Sequence, residues 1–435
     1  MKYLAPDYVC TPEGLQENML VTISVDGHIV SVTPREREGA MNVASTDEPV
    51  EYLRNIALLP GFVNVHSHVF QRALRGHTHR PLSKQDTFWT WRNAMYAEAQ
   101  RLDPDRLYRL ALHTYREMVM AGYTTVGEFH YVHHQPDGQP YANPNAMTEA
   151  ILEAGRTAGI RIVLLMTAYA QAGFNQPPEE GQRRFCDASV EAFLERVEAL
   201  RVKGIPVGVA PHSVRAVPEA WFRAIAEYSH TYSLPLHVHA DEQRAEIEQC
   251  QAVYNCTPIE LLEYFGALGP HTTIIHATHA TNKEIVLLAQ YGCNVCVCPT
   301  TEGDLGDGIA PYAELVKAKI PLSIGSDSNT RIDPIEELRW AEYSARMRYQ
   351  RRRVLIADEF ASPWPLLLEY GTRNGGKALG VKTGEIAPGM WADFVTIDVR
   401  SSMLAGWKVW DFLDVLFFGA SAEVIEQTWV RGERV

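Results

Sequence analysis

The chain has 435 residues, 46% of them apolar, which is enough for a large core and more than one minimal domain needs. A formal net charge of −13 and a pI near 5.7 argue against nucleic acid or an anionic membrane as the main partner, while leaving room for an anionic small molecule in a locally basic pocket. No apolar run is long enough to span a bilayer, and the start, Met1-Lys2-Tyr3-Leu4-Ala5-Pro6-Asp7, lacks the apolar stretch of a secretion signal, so the expected location is the cytoplasm.

The first segment, 19–32, reads as a hairpin turning at Asp26-Gly27. Eight short apolar runs follow, at 57–68, 124–129, 161–169, 206–214, 235–242, 272–279, 293–300 and 321–328. Stretches rich in Ala, Leu, Glu and Arg, such as 189–202 and 335–350, separate them and predict helices. Apolar strands alternating with helices predict parallel βα units, and eight of them predict a closed (β/α)8 barrel, although pattern alone also allows a doubly wound sheet. β-like stretches return at 392–398 and 428–435. The two chain ends are expected to meet as a small β-sandwich domain, residues 1–57 with 382–435, leaving 58–381 for the barrel. Seven cysteines, an odd number spread thinly, do not read as a disulfide framework. Cys293, Cys296 and Cys298 lie in one apolar run and read as buried core.

Nearly every apolar run ends in His, Asp or Glu, which in a barrel places these side chains where active sites are built. His66 and His68 stand two apart on a strand and so point to the same side, where both imidazoles can reach one metal. His239 and Glu242 fall where the fifth run becomes a loop, and His276 closes the sixth. Asp327 closes the eighth with no Lys or Arg flanking it, so a buried carboxylate there must be paired or metal-bound. Imidazoles and a carboxylate gathered in this way suit a divalent metal such as Zn²⁺, which would make a bound water available as a nucleophile near neutral pH.

The order His66-Ser67-His68, then His239-Ala240-Asp241-Glu242, then His276, then Ser326-Asp327 resembles the amidohydrolase superfamily, in its branch of mononuclear deaminases. The resemblance spans most of the chain, including Gly384-Glu385-Ile386-Ala387-Pro388-Gly389 before the closing β segments. It implies His66, His68, His239 and Asp327 as ligands of one divalent metal per chain, zinc, with Glu242, His276 and Asp327 as catalytic groups. Asp327 would accept the proton of the attacking water, Glu242 would carry one to the leaving nitrogen, and His276 would orient the water or hold a substituent. The fourth run ends Ala210-Pro211-His212-Ser213-Val214-Arg215 and offers no lysine to bridge a second metal.

Longer motifs resemble the formimidoylglutamate deiminase family: His66-Ser67-His68-Val69-Phe70-Gln71-Arg72-Ala73-Leu74, Thr87-Phe88-Trp89-Thr90-Trp91-Arg92, Glu128-Phe129-His130-Tyr131-Val132-His133-His134, and Gly325-Ser326-Asp327-Ser328-Asn329-Thr330-Arg331. This implies a small dicarboxylate amidine as substrate, hydrolysed to N-formyl-L-glutamate and ammonia in histidine breakdown, and a homodimer. Gln71, Arg92, Tyr131, His212 and Arg215 would bind that substrate. The chemistry agrees, because each arginine can clamp one carboxylate in fork geometry. Read locally, Arg92 also fits a helix-surface charge beside Trp89 and Trp91. His130, His133 and His134 are expected in loops or behind the site. The alternative activity is deamination of a nucleobase or an adenosine thioether, by base stacking rather than carboxylate clamps. A non-catalytic barrel relative would have lost the metal histidines, and this chain keeps them.

Overall fold

The computed structural model describes residues 1–35, 49–80, 87–358 and 361–435. The N-terminal part supplies β1 (Lys2–Thr11), β2 (Gly14–Glu17), β3 (Met19–Ile23), β4 (Ile29–Pro34) and β5 (Val50–Pro60). The strands β6 (Phe62–Ser67), β7 (Tyr123–His130), β8 (Arg161–Ala168), β9 (Val207–Pro211), β10 (Leu236–Ala240), β11 (Thr272–His276), β12 (Asn294–Val297) and β13 (Leu322–Ile324) come next. The C-terminal part adds β14 (Phe394–Asp398), β15 (Ile425–Val430) and β16 (Glu433–Arg434).

Strands β6 to β13 form one eight-stranded sheet in which each pairs, parallel, with its neighbours in sequence. A parallel bridge between Ser67 and Asp327 brings the last strand back to the first and closes the barrel. Every residue of β7 and β8 is buried, as expected of strands covered on both faces. The outer helices show why they start where they do. Asp103 accepts the backbone N–H of Arg106 and Pro104 opens the helix Pro104–Met120, whose buried side is Leu107, Ala111, Tyr115 and Met118.

The strands of the two chain ends join in one mixed sheet, ordered β16-β15-β14-β5-β1-β3-β4 with β2 on β1. It has a core of its own around Leu4, Val21, Ile23, Leu58, Phe394 and Trp429. The run read as one strand at 57–68 is two. Its first part pairs with β14 in the end sheet, and after Gly61 the chain enters β6 of the barrel. Glycine is required at the crossing, because a Cβ on residue 61 would lie 2.3 Å from the Thr124 side chain. The end sheet is pinned to the N-terminal end of β8, where Arg161 pairs with the buried Asp393 and donates to Thr125 Oγ1 at 2.9 Å. The opposite mouth is left to the strand C-termini. No helix among the described residues is long and apolar enough to cross a membrane.

Candidate active site

The closing seam of the barrel builds the site. The backbone N–H of Asp327 donates to the His66 carbonyl and that of His68 to the Asp327 carbonyl, both at 2.9 Å. Asn64, Ser326, Asn329 and Ser67 tie the same seam with buried side-chain hydrogen bonds of 2.6 to 3.1 Å. Gly325 permits this approach, since a Cβ there would meet His66 at 2.7 Å. The backbone is strained where the site forms: Asp241, His276, Ala277, Asp327 and Asn329 all have positive φ, between 44° and 73°. Each such non-glycine residue costs on the order of 1 kcal/mol, repaid by neighbours that hold it.

His66, His68 and His239 bring one ring nitrogen each to within 4.8 Å of the others, and all three are buried. His239 Nε2 is 3.1 Å from His66 Nε2 and 3.4 Å from His68 Nε2. The Nδ1–H of His68 donates to the Phe129 carbonyl at 3.0 Å, and that of His239 to the His212 carbonyl at 3.1 Å. Burial pushes the His68 pKa down to about 3, so its ring is neutral. A neutral ring that donates from Nδ1 has a bare lone pair on Nε2. Two such lone pairs face each other here, an arrangement that repels unless a cation lies between them. Asp327 Oδ1 completes the set, 3.7 Å from His66 Nε2 and 3.5 Å from His68 Nε2. The donor set therefore fits a divalent metal, with nitrogen and carboxylate ligands of the kind zinc takes.

His276 stands beside this set. Its Nε2 is 3.7 Å from Asp327 Oδ2 and 4.0 Å from Glu242 Oε1. Its Nδ1 donates to Glu302 Oε1 at 3.2 Å, and the same oxygen accepts the Cys298 N–H at 2.8 Å. Burial acts to lower the His276 pKa, but Glu242, Glu302 and Asp327 outweigh it and hold the ring well above the ordinary imidazole range.

One cavity is lined by His68, His239, Glu242, His276 and Asp327, and also by Gln71, Arg92, Tyr131, His212 and Arg215. The structure thus brings the residues singled out from sequence to one place, with His66 just behind the wall. Gln71 donates to the Tyr131 hydroxyl at 3.0 Å. The His212 ring stacks on His239 at 4.9 Å. Arg215 is buried, with Nε 3.9 Å from Glu246 Oε1. Its Nε and Nη1, like Nε of Arg92, have no hydrogen-bond partner among the described residues. Arg92 is not a surface charge: it lies over Trp89 at 4.6 Å, facing the cavity.

Three acidic residues were given no role by the sequence. Glu302 was one, although the strand-end rule points to it, because it lies just past the run closed at Thr300. Glu128, at the end of β7, accepts the Val69 N–H at 2.7 Å and braces the turn after His68. Glu246 stands beside Arg215 from the helix Arg244–Tyr254, a position without a sequence signal. Cys293, Cys296 and Cys298 are fully buried, and Cys298 also lies within 4.8 Å of His276 and Asp327. His130, His133 and His134 are buried away from the cavity.

Residues 57–435 match the model of the amidohydrolase family. A formimidoylglutamate deiminase of Pseudomonas aeruginosa is 36% identical over 430 residues, covering 98% of this chain and 92% of its own. The crystal structure of an amidohydrolase from Brucella melitensis superposes with a TM-score of 0.89 at 33% identity, over all of this chain and 94% of the other. An adenosine deaminase from Xanthomonas campestris with bound zinc shares the fold, with a TM-score of 0.80 at 22% identity over 99% and 92% of the two chains. With a buried histidine and carboxylate site at the mouth of a parallel barrel, the chain belongs to the amidohydrolase family.

Proposed function

We propose that the protein hydrolyses N-formimino-L-glutamate to N-formyl-L-glutamate and ammonia. The observation that carries this reading is the pair Arg92 and Arg215 in the cavity that holds Glu242, His276 and Asp327, with Nε of Arg92 and Nε and Nη1 of Arg215 making no hydrogen bond among the described residues. A substrate with two carboxylates and one amidinium matches a cavity holding two guanidiniums and several carboxylates. The 36% identical deiminase supports the same assignment.

A single divalent metal per chain, zinc in our reading, held by His66, His68, His239 and Asp327, would supply a water activated at neutral pH. Arg92 and Arg215 hold the carboxylates, with Gln71, Tyr131 and His212 adding neutral hydrogen bonds. The formimino end then lies toward Glu242. Asp327 and His276, 3.7 Å apart, hold the proton taken up at attack. Glu242, with Oε1 4.0 Å from the same His276 Nε2, takes that proton up and delivers it to the terminal amidine nitrogen, which is the nitrogen it can reach, and ammonia leaves. Glu302 keeps His276 Nε2 turned toward the cavity by accepting from its Nδ1.

Carbon NMR of the purified protein with N-formimino-L-glutamate tests this. N-formylglutamate with ammonia is expected. Formamide with free glutamate refutes the orientation of the substrate. No turnover, with deamination of guanine, cytosine or an adenosine thioether instead, replaces the reading by the base-deaminase alternative.

A further inference from the structure

Beside the two arginines lies a hydrogen-bond network that no motif announced: Tyr96, Tyr169 and Gln182. Gln182 is fully buried, and its amide orientation is fixed. The backbone N–H of Glu179 donates to Gln182 Oε1 at 2.8 Å, so the amide nitrogen is the end that faces the tyrosines. That nitrogen donates to the Tyr96 hydroxyl at 2.9 Å and to the Tyr169 hydroxyl at 3.0 Å, which uses both of its hydrogens. Both phenol oxygens are therefore acceptors, and their two protons must go elsewhere. The hydroxyls are 3.3 Å apart, so one proton bridges them. The other has no acceptor among the described residues. A buried donor left without an acceptor is costly, and both tyrosines line the active-site cavity.

We infer that Tyr169 donates this remaining proton to a carboxylate of the bound substrate and is a specificity-determining residue; the inference rests on the dicarboxylate reading above. The position of its ring selects Tyr169 over Tyr96. It follows β8 directly and stands 4.9 Å from the His212 ring and 6.4 Å from that of Tyr131. Tyr96 lies on the helix behind Arg92, whose guanidinium covers its ring at 5.4 Å. Tyr96 thus donates to Tyr169, and Tyr169 donates into the cavity. A donor in a cavity also lined by two guanidiniums recognises an anionic oxygen, where each hydrogen bond is charge-assisted.

Steady-state kinetics on Tyr169→Phe and Tyr96→Phe test the assignment, with calorimetric binding of glutarate as an inert dicarboxylate. Tyr169→Phe is expected to raise KM about tenfold with kcat within about twofold, and to weaken glutarate by a similar factor. Tyr96→Phe raises KM less. Circular dichroism and metal content report whether each variant folds. In the wild-type protein, glutarate should also perturb the ultraviolet spectrum of tyrosine. If wild type uses formiminoglutamate and binds glutarate while Tyr169→Phe matches it on both, or if glutarate leaves the tyrosine spectrum of wild type unmoved, the inference is overturned. If wild type neither turns over formiminoglutamate nor binds glutarate, the functional reading itself has failed.

Discussion

Two clusters of three buried histidines lie in this barrel, and they differ in where the ring nitrogens point. In His66, His68 and His239 the Nε2 atoms converge on one another and on Asp327. The ring nitrogens of His130, His133 and His134 form no such convergent group. His133 Nε2 meets the Thr167 carbonyl at 2.8 Å, His134 Nε2 meets Asp187 at 3.1 Å, and Asp187 is paired with Arg196. Burial lowers the pKa of His68 and of His130 alike, to about 3. Burial and a perturbed pKa therefore do not mark a metal site. Convergence of unprotonated nitrogens does, and a second group held apart by carbonyls and an ion pair is packing.

The sharpest break between the clusters is metal content. His239→Ala should abolish bound metal and lower kcat/KM by at least about a thousandfold, whereas His133→Ala should keep the metal at the wild-type ratio, expected to be one per chain. Elemental analysis with activity checks both, and two metals per wild-type chain would contradict a mononuclear site. Next in size, Glu242→Gln should keep metal and substrate binding while kcat falls about a thousandfold, since an amide cannot shuttle the proton. Single-turnover kinetics with a binding measurement separates the two effects. Arg215→Met should raise KM by roughly tenfold to a hundredfold with metal retained, because a desolvated charge clamp is worth a few kcal/mol.

The smallest expected effect is on stability against pH, and it has opposite signs around the two clusters. Burial raises Glu128, beside His68, to about 8. The folded state then binds more protons than the unfolded one between the ordinary carboxylate range and pH 8, so stability falls as pH rises through that window. Asp187 behaves in the opposite way. Burial pushes its pKa up, but the hydrogen bond from His134 and the charge of Arg196 outweigh it and lower the carboxyl. Its contribution is present above the ordinary carboxylate pKa and is lost as pH falls through the lowered one. Glu128→Gln should flatten the alkaline side of a Tm–pH curve and Asp187→Asn the acid side, each by roughly a few degrees.

The barrel was legible because each βα unit writes its strand as a local apolar run, and the observed strands fall within or within a residue of the eight runs. The metal-site histidines were legible for a related reason: polar residues closing apolar runs are out of place unless they do chemistry. The crossing at Gly61 was hidden because both strands it joins are apolar. Tyr96, which lines the cavity, and Glu246 and Gln182, which contact its lining residues, were hidden because they come from helices, where neither period nor spacing marks them. The Tyr96–Gln182 contact joins residues 86 apart, and only the folded chain brings them together.

The seam between β6 and β13 has a consequence for how the protein comes into being. Asn64 and Ser326, which tie it, are 262 residues apart, so Asp327, the carboxylate beside the three histidines, arrives only after the rest of the barrel has been synthesised. A chain that stops before β13 would carry three imidazoles on an open sheet, with the edges of β6 and β12 unpaired and no carboxylate to complete the set. The wheel closes with the same bonds that finish the catalytic centre, so an unfinished barrel is also an idle enzyme.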